Sequence, residues 1–358
     1  MRKKKILLVI EGIGSGGAEN QICRLTSLLT NAGYECRLIS YVENQFYEPF
    51  LESNHVDYAF LPELRPKVTR VFRMIKYIKK YAPECVISYL PSVNKLLCLC
   101  RFFCDFNLIV SERNNEMWAK TYYLIAFNLY RLANHVVTNT YTQYDYIREH
   151  YSFLSKKLSV IVNFVDTDVF IPSSEKEDNQ KFTILLVGRY AIQKNVARFL
   201  DSVSEIKKQN LPIKFEWIGS VSVDSSYYSM CCEKVKTLGI EDYVVLSPET
   251  DNLLEKYQKA DAFCLPSIYE GYPNVILEAM SCQLPILCSN ICDNATIVKE
   301  NVNGFLFDPY DIQQMVDSIK KLYNLPSKEK ILMGQNNRKL CLLRNSKENF
   351  LQQYIDLL

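Results

Sequence analysis

Short apolar runs alternate with longer amphipathic segments along the chain, and this alternation predicts the fold. The first run, KILLVI at residues 5–10, is uniformly apolar, as are the strands of a parallel sheet that is buried on both faces. Residues 18–31 then carry apolar side chains at helical spacing. Strand-like and helix-like segments alternate in this way to about residue 165, which predicts a parallel sheet covered by helices on both faces.

A second alternation of the same kind follows a polar, charged segment, IPSSEKEDNQ at residues 171–180, whose composition predicts a linker. A length of 358 residues also favours two domains over one. We therefore predict an α/β chain with two tandem Rossmann-like domains, at residues 1–170 and 181–340. The last helical segment, residues 341–358, is expected to pack back on the first domain.

Composition narrows the class of protein and its location. The formal net charge of +2 lacks the basic bias of nucleic-acid binders, so no nucleic-acid partner is expected. The 13 cysteines contain no C-x-x-C pair and lie mostly in apolar runs, which is typical of buried thiols in a reducing cytosol. The N-terminal apolar run ends at Ile10, too short for a signal-peptide core, and no run reaches the roughly 18 apolar residues of a spanning helix. We expect a cytoplasmic protein.

A glycine-rich segment, EGIGSGGAEN at residues 11–20, follows the first predicted strand. Gly12, Gly14 and Gly17 fit the G-x-G-x-x-G spacing of dinucleotide-binding loops, although Glu11 separates the strand from the first glycine. Such clustering indicates a backbone that a ligand approaches closely or that takes positive φ. By itself the segment leaves open a nicotinamide-dependent oxidoreductase, another phosphate-binding protein and a tight turn without a ligand.

The segment SIYEGYPNVILEAM, residues 267–280, carries two carboxylates around a predicted helix start. Pro273 suits the first helical turn, and the N–H groups near residues 274–276 favour an anion at the carboxyl edge of the sheet. Glu270 and Glu278 flank this helix end. Because carboxylates repel an anion, we expect them to accept hydrogen bonds from sugar hydroxyls instead.

A second segment, VGRYAIQKN at residues 187–195, places cations after another predicted strand. Arg189 and Lys194 would lie at the same carboxyl edge of the sheet. Cations in this position are what a diphosphate leaving group requires. Together the two segments predict a site for a sugar diphosphate in the second domain.

Five segments resemble, in order, motifs of the retaining family 4 glycosyltransferases. EGYPNVILE at 270–278 resembles the E-x7-E motif, and GRYAIQKN at 188–195 is similar to the G-R…K-(N/G) segment. SGGAE at 15–19 resembles the N-terminal glycine-rich loop. VNFVDTDVF at 162–170 and NVNGFLFDPYD at 301–311 resemble the segments at the domain junction and after the donor site.

This resemblance implies the GT-B architecture, in which two Rossmann-like domains face across a cleft and the second domain binds most of a nucleotide sugar. It implies that Glu270, Arg189 and Lys194 are catalytic, that Glu278 holds the ribose hydroxyls and that Glu270 holds the transferred sugar. The implied donor-binding residues are Gly16, Gly17, Gly188, Arg189, Lys194, Ser247, Glu270, Gly271, Tyr272, Pro273, Asn274, Val275 and Glu278. No cofactor and no divalent metal are expected, because the cations and the helix end would stabilise the leaving diphosphate.

On the acceptor side, the resemblance points to Arg113 and Asn114 in IVSERNNE, residues 109–116, where many family members carry a histidine. The SERN form is similar to that of relatives that build surface polysaccharides such as lipopolysaccharide or capsule. The implied reaction moves a sugar from a UDP-hexose or UDP-N-acetylhexosamine to a saccharide or polyprenyl-linked acceptor with retention. A basic amphipathic segment, residues 68–84, suggests peripheral contact with the inner membrane, although an ordinary surface helix has the same pattern.

Other functions stay open on the sequence. A sugar-nucleotide epimerase of the same architecture would act without an acceptor. A nicotinamide-dependent oxidoreductase would use the first glycine-rich loop and would leave both the cations and the carboxylates of the second domain unexplained. If the protein is a glycosyltransferase, Glu270 could act as a nucleophile rather than as a sugar ligand.

Overall fold

The computed structural model describes residues 3–113, 120–174, 181–221 and 224–358. Contacts within the chain divide it into two compact units. Unit 1 comprises Met1–Asn163 and Lys347–Leu358, and unit 2 comprises Phe164–Ser346.

Among the described residues, unit 1 contains a seven-stranded parallel sheet in the order β3-β2-β1-β4-β5-β6-β7. The strands are β1 (Lys5–Val9), β2 (Glu35–Ser40), β3 (Asp57–Phe60), β4 (Cys85–Tyr89), β5 (Asn107–Glu112), β6 (His135–Thr138) and β7 (Leu158–Val160). The helices are α1 (Gly17–Asn31), α2 (Glu48–Ser53), α3 (Lys67–Tyr81), α4 (Pro91–Cys100), α5 (Lys120–Leu129), α6 (Tyr141–His150) and, from the end of the chain, α14 (Lys347–Ile355).

Unit 2 contains, in its described part, a six-stranded parallel sheet in the order β10-β9-β8-β11-β12-β13. The strands are β8 (Phe182–Val187), β9 (Ile213–Ile218), β10 (Val244–Ser247), β11 (Ala262–Leu265), β12 (Ile286–Ser289) and β13 (Gly304–Phe307). The helices are α7 (Val196–Lys208), α8 (Ser225–Thr237), α9 (Leu253–Lys259), α10 (Asn274–Ser281), α11 (Asn294–Ile297), α12 (Ile312–Asn324) and α13 (Ser327–Arg344).

The central strands are apolar because helices cover both faces of each sheet. Residues 6–9 of β1 and 184–187 of β8 are all buried, which explains their uninterrupted apolar sequence. The prediction of two parallel, Rossmann-like sheets is confirmed. In unit 2 the strand order reverses between β8 and β11, so the loops after these two strands diverge at the carboxyl edge of the sheet. Open α/β sheets bind ligands at this position.

The basic amphipathic segment forms helix α3, which ends at Tyr81 rather than at residue 84 as predicted. Ala82 takes a left-handed conformation with φ of 52°. Pro83 follows, and a proline disfavours helical geometry in the residue before it. The helix therefore stops three residues earlier than the charge pattern alone indicated.

The two units meet along the chain at residues 163/164 and 346/347, whereas the sequence placed domain boundaries at 170 and 340. Residues 164–170 belong with unit 2 because Val165 N–H donates to the carbonyl of Asn345 at 2.9 Å, and Arg338 donates to the carbonyls of Thr167 and Phe170. Residues 175–180 of the predicted linker lie outside the described residues.

Candidate functional site

Lys194 and Glu270 form an ion pair at the carboxyl edge of the unit 2 sheet. Lys194 Nζ lies 2.6 Å from Glu270 Oε1, and the side chains are only 14% and 9% exposed. The two residues come from the loops after β8 and β11, which are the loops at the reversal of strand order. Tertiary structure thus joins two of the predicted catalytic residues, which are 76 positions apart in the chain.

The loop after β8 is held in place by Asn195, whose side chain donates to the carbonyls of Pro266 at 3.0 Å and Pro309 at 2.7 Å. Asn195 has φ of 64°, a left-handed conformation that asparagine tolerates better than most residues. It separates the short 3₁₀ turn Ile192–Lys194 from helix α7. This buried amide therefore fixes the direction in which Lys194 leaves the backbone.

Gly188, the first residue after β8, lies directly beneath the stem of Lys194. A Cβ at this position would meet Lys194 Cδ at 3.3 Å, which is closer than most Cβ contacts in proteins. The absence of a side chain at residue 188 thus lets the lysine cross the end of the strand toward Glu270.

Arg189 belongs to the same loop, but its side chain is exposed. Its Nη2 donates to Gln193 Oε1 at 2.9 Å, and Gln193 Nε2 donates to the carbonyl of Tyr269 at 2.8 Å. Gln193 therefore connects the arginine to the residue that precedes Glu270. The guanidinium of Arg189 thus donates to a neutral amide, whereas the ammonium of Lys194 pairs with a carboxylate.

Helix α10 begins at Asn274, and Pro273 is its N-cap in an extended conformation with φ of −74° and ψ of 116°. The proline therefore precedes the first helical turn, in which the sequence had placed it. The N–H of Ile276, which the sequence assigned to the anion site, donates to the carbonyl of Pro273 at 3.2 Å. This part of the prediction is corrected, because the helix starts later than expected and its first turn satisfies that donor.

Glu278 is buried on α10 and accepts a hydrogen bond from Tyr257 of α9. The Tyr257 hydroxyl lies 2.9 Å from Glu278 Oε2 and 3.3 Å from the carbonyl oxygen of Val275. Burial, followed by the neighbouring charge of Glu278, raises the pKa of Tyr257 well above 10, so the phenol stays protonated and donates. No motif or charge pattern singled out this tyrosine, whose spacing is that of a core residue.

The remaining predicted donor contacts of unit 2 lie on neighbouring strand ends and loops. Ser247 ends β10, and its carbonyl accepts from the hydroxyl of Tyr190 at 2.9 Å. Gly271 and Tyr272 connect Glu270 to the start of α10, and the Tyr272 hydroxyl accepts from Asn345 Nδ2 at 3.3 Å. The structure thus brings the unit 2 residues to one edge of one sheet, while their roles stay predictions.

In unit 1, Gly16 is the N-cap of α1 and Gly17 is its first residue. The carboxylate of Glu19, in the first turn, lies where a Cβ on Gly16 would be. A carboxylate at a helix N-terminus is favoured by the positive end of the helix dipole. The expected contact of these glycines with the donor stays a prediction.

Arg113 lies in the interior of unit 1, only 5% exposed. Its guanidinium donates to Asn163 Oδ1 at 3.0 Å and to the hydroxyls of Tyr89, at 2.7 Å, and Tyr354. It also stacks over the Tyr89 ring. These partners come from β4, α14 and the segment after β7, so the described contacts of Arg113 are internal. Its acceptor-side role stays a prediction, and Asn114 lies outside the described residues.

The residue before Arg113 was not singled out from the sequence. Glu112 ends β5 with its carboxyl fully buried, and burial raises its pKa from 4.5 to about 7. Its Oε1 accepts from the Tyr130 hydroxyl and, at 3.0 Å, from Asn94 Nδ2, whereas Oε2 has no hydrogen-bond partner among the described residues. The signal that could have identified it is an acidic residue at the end of a strand whose centre, residues 108–110, is apolar.

Within the described ranges, no three His, Cys, Asp or Glu side chains are grouped so that they could hold a metal ion. The expectation that no metal takes part stays a prediction. None of the described helices combines the length and the apolar character that a bilayer crossing requires.

Two family models match the chain in tandem. The model described as Glycosyltransferase Family 4 matches residues 15–169, and the model described as Glycosyl transferases group 1 matches residues 169–340. The first match covers most of unit 1 and the second most of unit 2. Together they span the glycine-rich loop, the ion pair and helix α10.

Similar proteins are found among both sequences and solved structures. A Campylobacter jejuni protein named GalNAc-α-(1→4)-GalNAc-α-(1→3)-diNAcBac-PP-undecaprenol α-1,4-N-acetyl-D-galactosaminyltransferase is 26% identical over 96% of this chain and 93% of its own length. A glycosyltransferase structure from Rickettsia africae has a TM-score of 0.86 at 16% identity, covering 100% of this chain and 98% of its own. The Anabaena protein HepE in complex with UDP and glucose has a TM-score of 0.84 at 17% identity, covering 99% and 98%.

Proposed function

The chain belongs to glycosyltransferase family 4 and has the GT-B fold, and from this premise we propose the reaction that it catalyses. It transfers a sugar from a nucleotide sugar, a UDP-hexose or UDP-N-acetylhexosamine, to a saccharide or lipid-linked saccharide acceptor with retention of configuration. The product contributes to a bacterial surface polysaccharide or glycan. The relatives support this proposal, since the Campylobacter jejuni protein is named for a sugar transfer to an undecaprenol-linked acceptor and HepE is described with UDP and glucose.

The observation that carries the proposal is the Lys194–Glu270 pair at the reversal of strand order in unit 2. A diphosphate needs cations, and a sugar needs hydrogen-bond acceptors, so one site must present both. Here the ammonium and the carboxylate are adjacent, and α10 begins four residues after the glutamate. A dinucleotide-binding loop alone does not require such a pair.

The charges in this site indicate which residues bind the diphosphate and which one binds the sugar. Because Glu270 already compensates Lys194, the lysine alone adds little net charge toward a diphosphate. The exposed guanidinium of Arg189, bonded to neutral Gln193, supplies the second cation. In the proposed mechanism the two cations stabilise the leaving diphosphate, while Glu270 orients the sugar that is transferred.

Retention follows in this proposal from a same-side displacement. The acceptor oxygen bonds to the anomeric carbon as the bond from that carbon to the diphosphate oxygen breaks. The leaving diphosphate oxygen takes the acceptor's proton, so no protein base is needed. In the alternative, Glu270 forms a covalent glycosyl-enzyme, which intact-protein mass spectrometry with the donor alone would detect.

The test of the activity is a screen of nucleotide sugars with the whole chain. Isothermal titration against UDP, GDP and NAD comes first, and we expect a nucleoside diphosphate to bind more tightly than NAD. Each bound nucleotide's sugars are then incubated with and without saccharide and polyprenyl-diphosphate-linked acceptors. Transfer only in the presence of acceptor supports the proposal. A changed sugar without acceptor indicates an epimerase, and tight binding of NAD alone contradicts the proposal.

Peripheral contact with the cytoplasmic face of the membrane is part of the proposal, and α3 is the element that supports it. Val68 and Phe72 on this helix are 90% and 72% exposed, and its basic residues lie beside them. The lysines at 76, 79 and 80 are exposed on the same helix and carry positive charge that an anionic lipid surface would attract. Reversing these three charges should reduce flotation with anionic vesicles, and unchanged flotation would contradict the contact.

A further inference from the structure

Helix α10 is attached on one side to the segment Phe164–Phe170, called here the junction segment. Ser281 at the end of α10 donates from its hydroxyl to the carbonyl of Phe170 at 2.5 Å. Arg338 of α13 donates to the carbonyls of Phe170 at 3.1 Å and Ser281 at 2.6 Å. Three hydrogen bonds from two side chains thus hold the end of α10 against the segment at which unit 2 begins.

Tyr257 connects the junction segment to Glu278. The ring of Phe170 packs edge-on against the Tyr257 ring, with centroids 5.9 Å apart and planes at 79°. The ring of Phe263 from β11 lies 5.8 Å away from the same tyrosine. Two aromatic neighbours therefore fix the position of a phenol whose hydroxyl lies 2.9 Å from the Glu278 carboxylate.

We propose that Tyr257 is a positioning residue for the donor, and this inference rests on the proposed function. Its hydroxyl holds one oxygen of Glu278 and so sets the plane in which the carboxylate meets the ribose hydroxyls. The rotation of a glutamate carboxylate about its last torsion is soft, so a carboxylate without such a donor samples a broad range of orientations. The charged oxygen is a stronger acceptor than the carbonyl of Val275, which lies farther from the hydroxyl at 3.3 Å.

Two roles for Tyr257, filling the core or positioning Glu278, predict different effects of removing its hydroxyl. Replacing Tyr257 with phenylalanine keeps the ring against Phe170 and Phe263 and removes only the hydroxyl. If the residue is core alone, Y257F binds a nucleoside diphosphate as the wild type does. If it positions Glu278, affinity falls although the fold is kept.

The experiment is titration of UDP, with GDP in parallel, into wild-type protein and Y257F. We expect the dissociation constant of the nucleotide that binds to rise about tenfold, the loss of one hydrogen bond to a charged group. The donor KM should rise by a similar factor while kcat changes less than about threefold, because the ribose is remote from the reacting bond. Y58F, which removes a hydroxyl 2.7 Å from Ser40 in unit 1, is the matched control and should leave both constants unchanged.

A second comparison separates an effect through Glu278 from a diffuse effect on unit 2. In the double variant Y257F/E278Q, the loss of affinity should be no larger than in E278Q alone, since both changes act on one contact. UDP without its ribose hydroxyls should bind the wild type and Y257F equally well. Losses that add in the double variant contradict the inference.

The outcomes distinguish this inference from the proposed function. A wild-type protein that binds no nucleoside diphosphate contradicts the proposed function, and the inference fails with it. A wild type that binds UDP or GDP, together with a Y257F variant that binds it equally tightly, contradicts the inference alone.

Discussion

The ends of β5 in unit 1 and of β8 and β11 in unit 2 present charged side chains at equivalent edges of two similar sheets, and the structure uses them differently. Glu112 and Arg113 are buried, and their described partners are tyrosines, asparagines and backbone of the same unit. Glu270 is buried as well, but it is paired with Lys194, which is only half-buried, and Arg189 in the same loop is exposed. The position of a charge at a strand end therefore does not by itself identify a ligand site. Its partners and its exposure do.

The largest expected effect is a loss of activity when Glu270, at the carboxyl edge of the unit 2 sheet, is changed. Glu270→Gln keeps the shape of the side chain but removes the charge that orients Lys194 and the sugar. We expect kcat to fall by about 100-fold or more, the scale for losing one electrostatic contact in a catalytic site. Steady-state transfer with the donor found in the screen measures it. Glu216→Gln, which breaks the Lys256–Glu216 pair elsewhere in unit 2, should leave kcat nearly unchanged. Near-normal turnover by E270Q would contradict both roles given to Glu270.

The substitution Arg113→Ala tests the carboxyl edge of the unit 1 sheet, where we expect a loss of stability rather than of activity. The change removes a buried cation and leaves the oxygens of Asn163, Tyr89 and Tyr354 without that donor. We expect the free energy of unfolding of unit 1 to fall by about 3 kcal/mol. Denaturant unfolding followed by circular dichroism measures this.

The matched control is Arg37→Ala, which breaks a partly exposed pair with Asp57 and should cost less than about 1 kcal/mol. If R113A is as stable as this control but transfers no sugar, Arg113 acts in acceptor binding after all.

Glu112 should make the stability of unit 1 depend on pH. Its folded pKa of about 7 lies above the ordinary 4.5, so its contribution to stability is fully present below pH 4.5 and is lost as the pH rises through 7. The shift corresponds to about 3 kcal/mol. Unfolding free energies at pH 5 and pH 8 should differ in the wild type and differ less in Glu112→Gln. Glu43→Gln, at an exposed position of unit 1, should behave as the wild type does.

The smallest effect concerns the approach of Lys194 to its partner. Gly188→Ala places a methyl group 3.3 Å from Lys194 Cδ, and the flexible stem can move by a few tenths of an ångström. We expect kcat/KM to fall about threefold to tenfold with less than about 1 kcal/mol lost in stability. Kinetics and thermal unfolding measured together check this. A normal kcat/KM would show that the lysine tolerates the shift.

Several features followed from local sequence. Uninterrupted apolar runs such as residues 5–10 predicted buried parallel strands, because only a sheet covered on both faces needs no polar positions. The glutamates at 270 and 278 and the cations at 189 and 194 predicted a site for a sugar diphosphate, and the resemblance of these segments to family motifs implied a glycosyltransferase. Helix ends were less accurate, as Pro273 and Ala82 show, because they depend on single-residue conformations.

What the sequence by itself determined, then, is the succession of strands and helices, the two parallel sheets and the family. Tertiary structure decided which charges meet. Lys194 and Glu270 are brought together by the pairing of β8 with β11, and Tyr257 reaches Glu278 from a different helix. It also decided that Glu112 and Arg113 lie inside unit 1 and that the C-terminal part of that unit starts at residue 347 rather than 341. Such contacts join distant positions of the chain, so neither periodicity nor a short motif contains them, and only the packed fold specifies them.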